Sequence, residues 1–246
     1  MNLKRHTLLD ITDRGREEIL ADLAENGSDN AILREKYAQV LLPEKTGTRV
    51  PGVVRREDGP LRPGCIPIGF SSPTTGTQGR LRIAAFVRQK DVARITSPYD
   101  LLSLIKTPPR NACNTALALA KSQAQALGLV LGVWGSAALE IYTGLPCTHP
   151  DSDLDLLMKP APREPLYRFL LRVKSIEKHL ALRIDVEVDL SGGYGVNLKE
   201  LFGQGRTVLG KSLDDVAMLS RKQILAELPQ EGAVPVLSEE ARGAYA

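Results

Sequence analysis

The sequence predicts an α/β (α+β) protein: a C-terminal domain with a mixed sheet and flanking helices, preceded by a smaller N-terminal α+β domain. In the C-terminal half, an amphipathic segment separates two strand-like segments, the order that a mixed sheet requires. The first third is dense in glycine and proline between short apolar pieces, which is typical of short strands joined by turns. Pro108 and Pro109 form the strongest break, because proline lacks a backbone donor and restricts the preceding residue. We therefore expect one domain over residues 1–106 and a second over residues 107–246.

The N-terminal domain is predicted to start with helix and to continue as short strands. Residues 1–42 are charged and mixed, and Ile19, Leu20 and Leu23 are spaced for one helix face. Apolar segments between turns predict strands at residues 50–54, 65–70 and 81–87.

The C-terminal domain is predicted to open with a helix that Asn111 or Asn114 caps and Gly128 ends. An apolar strand over residues 129–134 then leads into a Gly-Ser turn. A short helix is expected from Ala137 onward.

Strand and helix alternate in the middle of this domain. Asp153-Leu-Asp155 begins one predicted strand, and residues 183–189 alternate acidic and apolar positions in another. Between them, apolar residues recur at helical spacing over residues 162–180, which predicts a helix packed against the sheet. The last expected elements are a turn at 192–195, a strand at 207–210 and a helix from Asp214 to about Leu225.

The composition limits the classes of function. Of 246 residues, 43% are hydrophobic, so a sizeable core is available. The net charge is only +3 and aromatic residues make up 4%, which argues against nucleic acid as the main partner. Three cysteines without paired spacing are typical of a reducing compartment. The N-terminus is charged and no apolar run reaches the ~18 residues of a membrane span, so we expect a cytoplasmic protein without a membrane partner.

Asp153 and Asp155 are the most informative residues of the chain. Side chains alternate along a strand, so both carboxylates are expected on one face. Adjacent carboxylates repel each other unless a cation lies between them. Their hard oxygen ligands suit Mg²⁺, which typically binds one or two carboxylates together with substrate phosphates; Mn²⁺ is the alternative ion. An Asp-x-Asp pair alone is more typical of a solvent-exposed strand, so this interpretation depends on the surrounding pattern.

Gly135 and Ser136 supply part of that pattern. A turn from strand to helix presents backbone N–H groups to an anion, and glycine allows the backbone to approach a phosphate closely. The Ser136 hydroxyl can add a hydrogen bond. Lys211 follows a predicted strand, where it could meet a substrate phosphate or lie as an ordinary surface lysine.

This arrangement resembles the nucleotidyltransferase superfamily that includes DNA polymerase beta. That family is marked by a Gly-Ser turn, a spacer, an Asp-x-Asp strand and a third acid on a neighbouring strand. Asp185 is the candidate third acid, because it lies between apolar neighbours in the family's manner; Glu187 is the alternative. The resemblance implies two bound metal ions. Its implied catalytic metal ligands are Asp153, Asp155 and Asp185, and its implied phosphate-binding residues are Gly135, Ser136 and Lys211.

Within the superfamily, the whole chain resembles the phosphoribosyl-dephospho-CoA transferases of malonate decarboxylase, which are holo-acyl-carrier-protein synthases. Arg5-His-Thr-Leu-Leu9 is similar to that family's opening Arg-His-Asp-Leu pattern, from which Thr7 departs. Further similar segments are Val50-Pro-Gly-Val-Val54, Ile66-Pro-Ile-Gly69, Gly79-Arg-Leu-Arg-Ile83, Trp134-Gly-Ser-Ala-Ala138, Asp151-Ser-Asp-Leu-Asp-Leu156 and Val208-Leu-Gly-Lys211.

The closer resemblance implies a transfer onto a protein. The donor would be 2′-(5-triphosphoribosyl)-3′-dephospho-CoA, the acceptor a serine of the apo acyl-carrier subunit of malonate decarboxylase, and the leaving group pyrophosphate. The N-terminal domain would help to bind the carrier or the CoA moiety.

Three alternatives stay open. The citrate lyase counterpart performs the same transfer, but its Gly-Arg-Leu-x-Asp-Leu-Asp-Val pattern differs from Pro150-Asp-Ser-Asp-Leu-Asp155. Another nucleotidyltransferase would act on a small molecule or a different protein. A non-catalytic scaffold that binds the carrier is the third alternative, and the intact acids at Asp153, Asp155 and Asp185 argue against it.

Overall fold

The structure, a computed structural model, describes residues 3–26, 31–57, 59–60, 62–73, 80–106 and 108–230. It contains two β-sheets with associated helices, which confirms the predicted fold class and the two-part architecture. The predicted domain boundary falls at Thr107, outside the described residues, and Gly79 of the similar segments lies outside them too.

The first sheet is antiparallel and has the order β4-β3-β2-β1-β5. Its strands are β1 (Leu8–Ile11), β2 (Gly52–Val54), β3 (Cys65–Ser71), β4 (Arg82–Arg88) and β5 (Val92–Thr96), and its helices are α1 (Asp13–Asn26), α2 (Ala31–Leu41) and α3 (Pro43–Thr46). The strands predicted at 50–54, 65–70 and 81–87 are confirmed as β2, β3 and β4. The expectation of helix at the very start was wrong over β1, because this segment pairs with a strand on each side and so gains two ladders of hydrogen bonds.

The second sheet is mixed and has the order β11-β10-β9-β8-β7-β6, in which only the β7–β8 pair is parallel. The strands are β6 (Leu131–Trp134), β7 (Leu154–Met158), β8 (Ile184–Asp189), β9 (Gly195–Asn197), β10 (Thr207–Lys211) and β11 (Val216–Ser220). The helices are α4 (Ala112–Ala126), α5 (Gly135–Thr143), α6 (Arg163–Leu180), α7 (Leu198–Leu201) and α8 (Arg221–Glu227).

Two predicted helices of this domain are confirmed with their physical basis. Asn111 caps α4, because its side chain accepts a hydrogen bond from the backbone N–H of Asn114 at 3.0 Å. Helix α6 buries the apolar stripe that its spacing predicts. It is the connection between the parallel strands β7 and β8. The buried residues of that stripe are Leu166, Phe169, Leu170, Val173 and Ile176.

The helix expected from Asp214 to about Leu225 was wrong over its first half. Residues 216–220 instead form β11, which pairs with all five residues of β10. The hydroxyl of Ser212 accepts backbone hydrogen bonds from Asp214 and Asp215, at 3.2 and 2.9 Å, and so closes the hairpin turn. A short apolar run does not by itself distinguish strand from helix.

The two sheets share packing at their junction. Leu8 of β1 is buried in the same core as Leu101 and Leu102, which lie on the 3₁₀ turn Leu101–Leu104. That core also contains the apolar faces of β6, β7 and β8, whereas Leu9 and Ile11 of β1 belong to the core of the first sheet. Strand β1 therefore contributes to both cores and holds the residues just before it over the second sheet.

Candidate active site

A row of candidate site residues crosses the second sheet. In the pairing register, Trp134 of β6 lies opposite Asp155 of β7, and Asp155 lies opposite Asp185 of β8. Residues in register point to the same face of a sheet, so these three side chains lie side by side. Leu154 and Leu156 point to the other face, into the core. The sheet therefore brings two of the predicted acids together.

Asp153 occupies a different position from the one expected. It precedes β7 by one residue and is exposed, whereas Asp155 lies within the strand and is partly buried. The pKa of Asp155 is raised to about 7, chiefly by burial and then by the negative charges of Asp185, Asp153 and Glu187. The acids are therefore close enough to oppose one another's ionisation.

Asp185 and Glu187 have different partners on β8. The carboxylate of Asp185 forms an ion pair with the exposed Arg183 at 2.6 Å. Glu187 is buried and receives a hydrogen bond from Arg5 at 3.2 Å, and the His6 Nε2 atom lies 3.7 Å from the same carboxylate oxygen. Burial opposes ionisation of Glu187, but His6, Arg5 and Lys211 outweigh it and hold its pKa below the usual range. Glu187 is thus already compensated by residues of the N-terminal segment.

That N-terminal segment lies directly over the acidic face. The His6 ring stacks on Trp134 with centroids 3.9 Å apart, and His6 adopts a left-handed φ of 67°. This conformation is uncommon for a residue with a side chain and is found where the surrounding structure enforces it. Arg5 also donates to the Lys211 carbonyl at 3.0 Å, so it bridges β8 and β10.

Gly135 lies against the carboxylate of Asp155, where there is no room for a side chain. Its φ is 67°, and a Cβ atom at this position would overlap the carboxylate of Asp155. Only glycine leaves this space and adopts this backbone without strain. Helix α5 begins at Gly135, two residues earlier than predicted, and Trp134 is its N-cap. The start of α5 and the Asp155 carboxylate are therefore in direct contact.

The Ser136 hydroxyl has a partner from the other domain. Nη1 of Arg80 donates a hydrogen bond to Ser136 Oγ at 2.7 Å, and Nη2 of the same side chain donates to the Cys147 carbonyl. Sequence reasoning missed Arg80, which lies 56 positions from Ser136. Arg80 belongs to the similar segment Gly79-Arg-Leu-Arg-Ile83, but the sequence predicted no role for it.

The loop that leads to Asp153 is held by one carboxylate, which sequence reasoning also missed. Glu140 Oε2 accepts hydrogen bonds from the backbone N–H groups of Cys147 and Thr148, at 2.9 and 2.7 Å. It also accepts from the Thr148 hydroxyl at 2.7 Å and from Arg110 at 2.8 Å. Burial acts against ionisation, but the bonds from Thr148 and Arg110 prevail and lower the pKa of Glu140.

A cleft of about 630 Å³ lies between the two sheets and opens at Gly135. One wall comes from β2, β3 and β4, and the other from Trp134, Gly135, Leu139, Lys211 and Ser212. Among the described residues, six cationic side chains line it: Arg5, Arg55, Arg56, Arg80, Arg82 and Lys211. The predicted phosphate-binding residues Gly135 and Lys211 both border this space, and Arg80 of its wall contacts the third, Ser136.

Asp153, Asp155 and Asp185 are the residues whose chemistry fits a divalent cation. Their oxygens are hard ligands, and the pKa of Asp155 is raised first by burial and then by neighbouring negative charges, which a cation would offset. Within the described ranges, however, no three His, Cys, Asp or Glu side chains are already arranged as a metal cage. Asp185 is instead paired with Arg183.

Fold and site define a two-domain α/β protein whose acidic sheet face adjoins a cationic interdomain cleft. Two family models match it: the phosphoribosyl-dephospho-CoA transferase MdcG N-terminal domain over residues 4–98 and the MdcG C-terminal domain over residues 100–222. The chain belongs to the family of phosphoribosyl-dephospho-CoA transferases, so it is classed as a transferase.

Individual relatives carry the same name. The chain is 34% identical over 184 residues to a phosphoribosyl-dephospho-CoA transferase of Xanthomonas axonopodis pv. citri, covering 75% of this chain and 85% of the relative. It is 33% identical over 177 residues to that of Xanthomonas campestris pv. campestris strain 8004, covering 72% and 82%. For the Bradyrhizobium diazoefficiens protein of that name, the identity is 30% over 178 residues, covering 70% and 75%. No solved structure matches. No helix among the described residues is long and apolar enough to cross a membrane.

Proposed function

We propose that the protein transfers the phosphoribosyl-dephospho-CoA group from 2′-(5-triphosphoribosyl)-3′-dephospho-CoA to a serine of the apo acyl-carrier subunit of malonate decarboxylase, with release of pyrophosphate. The chain would thus be a nucleotidyltransferase whose acceptor is a protein. Family membership supports the donor class, because the relatives are named for the transfer of this group.

One observation carries the proposal: the Asp155 carboxylate lies against Gly135, at the point where the start of α5 meets the cationic cleft. A phosphate in the cleft would meet the backbone N–H groups of α5, and the acids would lie immediately beside it. A reaction at phosphorus needs positioning and electrostatic stabilisation above all, and this junction offers both.

The surroundings of β8 support Asp185, rather than Glu187, as the third acid. Asp185 lies directly opposite Asp155 in the parallel ladder, whereas Glu187 lies opposite Leu157. Glu187 is paired with Arg5, so its charge is already offset within the protein, whereas burial lowers the pKa of the neighbouring His6 and favours its neutral form. Asp185 has a single exposed arginine as partner, and that side chain can turn away into solvent.

The acids Asp153, Asp155 and Asp185 would hold Mg²⁺, or Mn²⁺ in its place. When bound, such an ion neutralises charge on the leaving pyrophosphate and lowers the pKa of the attacking serine hydroxyl. The protein's own contribution is to orient the donor. Gly135 lets the backbone approach the phosphates, and the Ser136 hydroxyl donates a hydrogen bond to a phosphate oxygen. Lys211 adds a cation at the edge of the cleft.

We also propose a cytoplasmic location, because the three cysteines Cys65, Cys113 and Cys147 have no paired spacing in the sequence, a pattern typical of a reducing compartment.

The test is an intact-mass measurement of the carrier. Purified protein is incubated with apo carrier subunit, the triphosphoribosyl-dephospho-CoA donor and Mg²⁺. In one parallel sample EDTA is added to remove the metal, and in another ATP replaces the donor. We expect the carrier to gain the mass of one phosphoribosyl-dephospho-CoA group, and only when the metal is present.

The variants Asp153→Ala and Asp155→Ala should abolish this gain, and Asp151→Asn, an exposed acid in the same loop, should retain it. AMP attachment from ATP, without transfer from the named donor, would contradict the proposal and favour another nucleotidyltransferase activity. Inactivity with both donors would favour a scaffold that only binds the carrier.

A further inference from the structure

The interdomain cleft concentrates positive charge, although the net charge of the whole chain is small. The net charge of the whole protein is +3, yet six arginine and lysine side chains line this one cleft, and no Asp or Glu is found among its described lining residues. Arg5 and Arg55 are paired with Glu187 and Glu57.

Two other cations of the cleft, Arg82 and Lys211, have exposed side chains. These side chains form no hydrogen bond or ion pair with any other residue that the structure describes. A cleft with low-dielectric walls focuses the field of such charges, so it favours a compact polyanion over a single charge.

Arg80 links this charge to the start of α5. It belongs to the N-terminal domain, but its guanidinium donates to Ser136 Oγ and to the Cys147 carbonyl of the C-terminal domain. Ser136 accepts this bond and still has its own hydroxyl proton to donate. A phosphate oxygen next to Ser136 would therefore meet the serine hydroxyl, the free N–H groups of the first turn of α5 and the arginine together.

We infer that the triphosphate of the donor binds in this cleft between the two domains, and that Arg80 of the N-terminal domain is one of its ligands. This inference rests on the proposed function and assigns the N-terminal domain a part in donor binding. Arg80 has the role that a planar guanidinium performs best, the recognition of phosphate oxygens in a fixed geometry. Arg82 adds charge at the outer wall without contacting Ser136.

The experiment measures binding of two fragments of the donor separately, inorganic tripolyphosphate and dephospho-CoA, by isothermal titration calorimetry on the full chain. Each titration is run with Mg²⁺ and with EDTA. The variants are Arg80→Ala, Arg80→Lys and Arg82→Ala. Arg168→Ala is the matched control, because it removes an exposed arginine from α6, away from the cleft.

In both buffers, we expect Arg80→Ala to weaken tripolyphosphate binding at least tenfold and to leave dephospho-CoA binding unchanged. Arg80→Lys should recover part of the loss, since it restores the charge but not the two-pronged geometry. Arg82→Ala should weaken tripolyphosphate about threefold, and Arg168→Ala should behave as wild type. Thermal unfolding without ligand separates binding from folding: we expect the unliganded Tm to stay near that of wild type while the Tm increase caused by tripolyphosphate is lost.

Wild-type affinity for tripolyphosphate in Arg80→Ala and Arg82→Ala would overturn the inference. So would a loss of dephospho-CoA binding in Arg80→Ala while tripolyphosphate binding is retained. Should Arg80→Ala fail to fold, Arg80→Lys still tests the guanidinium and Arg82→Ala tests the cleft, because the exposed Arg82 side chain forms no hydrogen bond or ion pair with another described residue. The proposed function fails separately, if wild-type protein binds tripolyphosphate through Arg80 but does not label the carrier.

Discussion

At the scale of single residues, the site combines groups that are costly to the fold. Asp155 is a partly buried carboxylate beside other acids, and its raised pKa of about 7 reflects that cost. Gly135 has a left-handed backbone and lies against the same carboxylate. Strain and unfavourable charge collected at one place are typical of functional sites, where they persist because the rest of the fold compensates.

The first prediction concerns the charge of Asp155. Asp155→Asn keeps the shape of the side chain but removes a partly buried charge and its repulsion from Asp185 and Asp153, so we expect an inactive protein that is more stable than wild type without metal. The gain in the free energy of unfolding should be on the order of 1–3 kcal/mol at pH 8, measured by thermal unfolding in EDTA. Asp151→Asn should change neither property. An unchanged or lower Tm for Asp155→Asn would show that Asp155 carries no such repulsion.

The second prediction compares two glycines at opposite ends of α5. Gly135 and Gly144 have similar left-handed φ values of 67° and 72°, but a Cβ at Gly144 would meet nothing within 4 Å. Each change to alanine should cost about 1–2 kcal/mol of stability from the backbone alone. Only Gly135→Ala should also displace Asp155 and abolish carrier labelling. Equal activity of the two variants would show that the contact between Gly135 and Asp155 is not needed.

At the scale of elements, the loop between α5 and β7 is organised by Glu140. Its carboxylate collects hydrogen bonds from the backbone and side chain of Thr148, from the Cys147 N–H and from Arg110. Helix α5 therefore positions the site at both ends: its first residue lies against Asp155, and Glu140 holds the loop that delivers Asp153.

The third prediction is a pH dependence that arises from Glu140. Because its pKa is lowered on folding from the reference value of 4.5, its stabilisation should be complete above about pH 4.5 and be lost as the pH falls through the lowered value. Glu140→Gln should be less stable than wild type at pH 7, by about 1–3 kcal/mol, and this difference should shrink below pH 4.5. Tm measured against pH for both proteins checks it. A difference that stays constant down to pH 3 would contradict the assignment.

At the scale of the whole molecule, the site is completed only where the two domains meet. Arg5, His6 and Arg80 come from the N-terminal part of the chain, and each contacts a residue of the second sheet or of α5. Strand β1 fixes this arrangement, because Leu8 is buried in the core of the second sheet and Leu9 in that of the first.

The fourth prediction tests the contact between Arg5 and Glu187. The Glu187 side chain is only 10% exposed, so Arg5→Ala leaves a buried carboxylate with one partner fewer and should cost about 1–3 kcal/mol. Adding Glu187→Gln should recover part of that cost, which chemical denaturation of the four proteins of the cycle would measure. Arg14→Ala is the control, because its pair with Glu18 is exposed to solvent and should have little effect on stability. Additive effects of the two changes at Arg5 and Glu187 would show that they are not coupled.

Sequence reasoning predicted the features that depend on local pattern. The apolar stripe of α6, the Asn111 cap and the acidic alternation of β8 each follow from residues close together in the chain. The features it missed depend on distant partners. Nothing local shows that Arg16 is fully buried with the carbonyls of Ile11, Leu41 and Val50 as acceptors. Nothing local shows that Arg80 contacts Ser136, or that β11 forms because β10 is there to pair with it.

The stacking of His6 on Trp134 has a practical consequence. Trp134 is the only tryptophan of the chain, and it lies in the wall of the cleft, at the junction of the two domains. Indole emission responds to the polarity and to the charged groups around the ring. Because the chain has one tryptophan, all of its tryptophan fluorescence comes from this position. The native protein therefore carries a built-in optical reporter of the cleft. Filling the cleft, or separating the domains, is expected to change the fluorescence of the unlabelled protein.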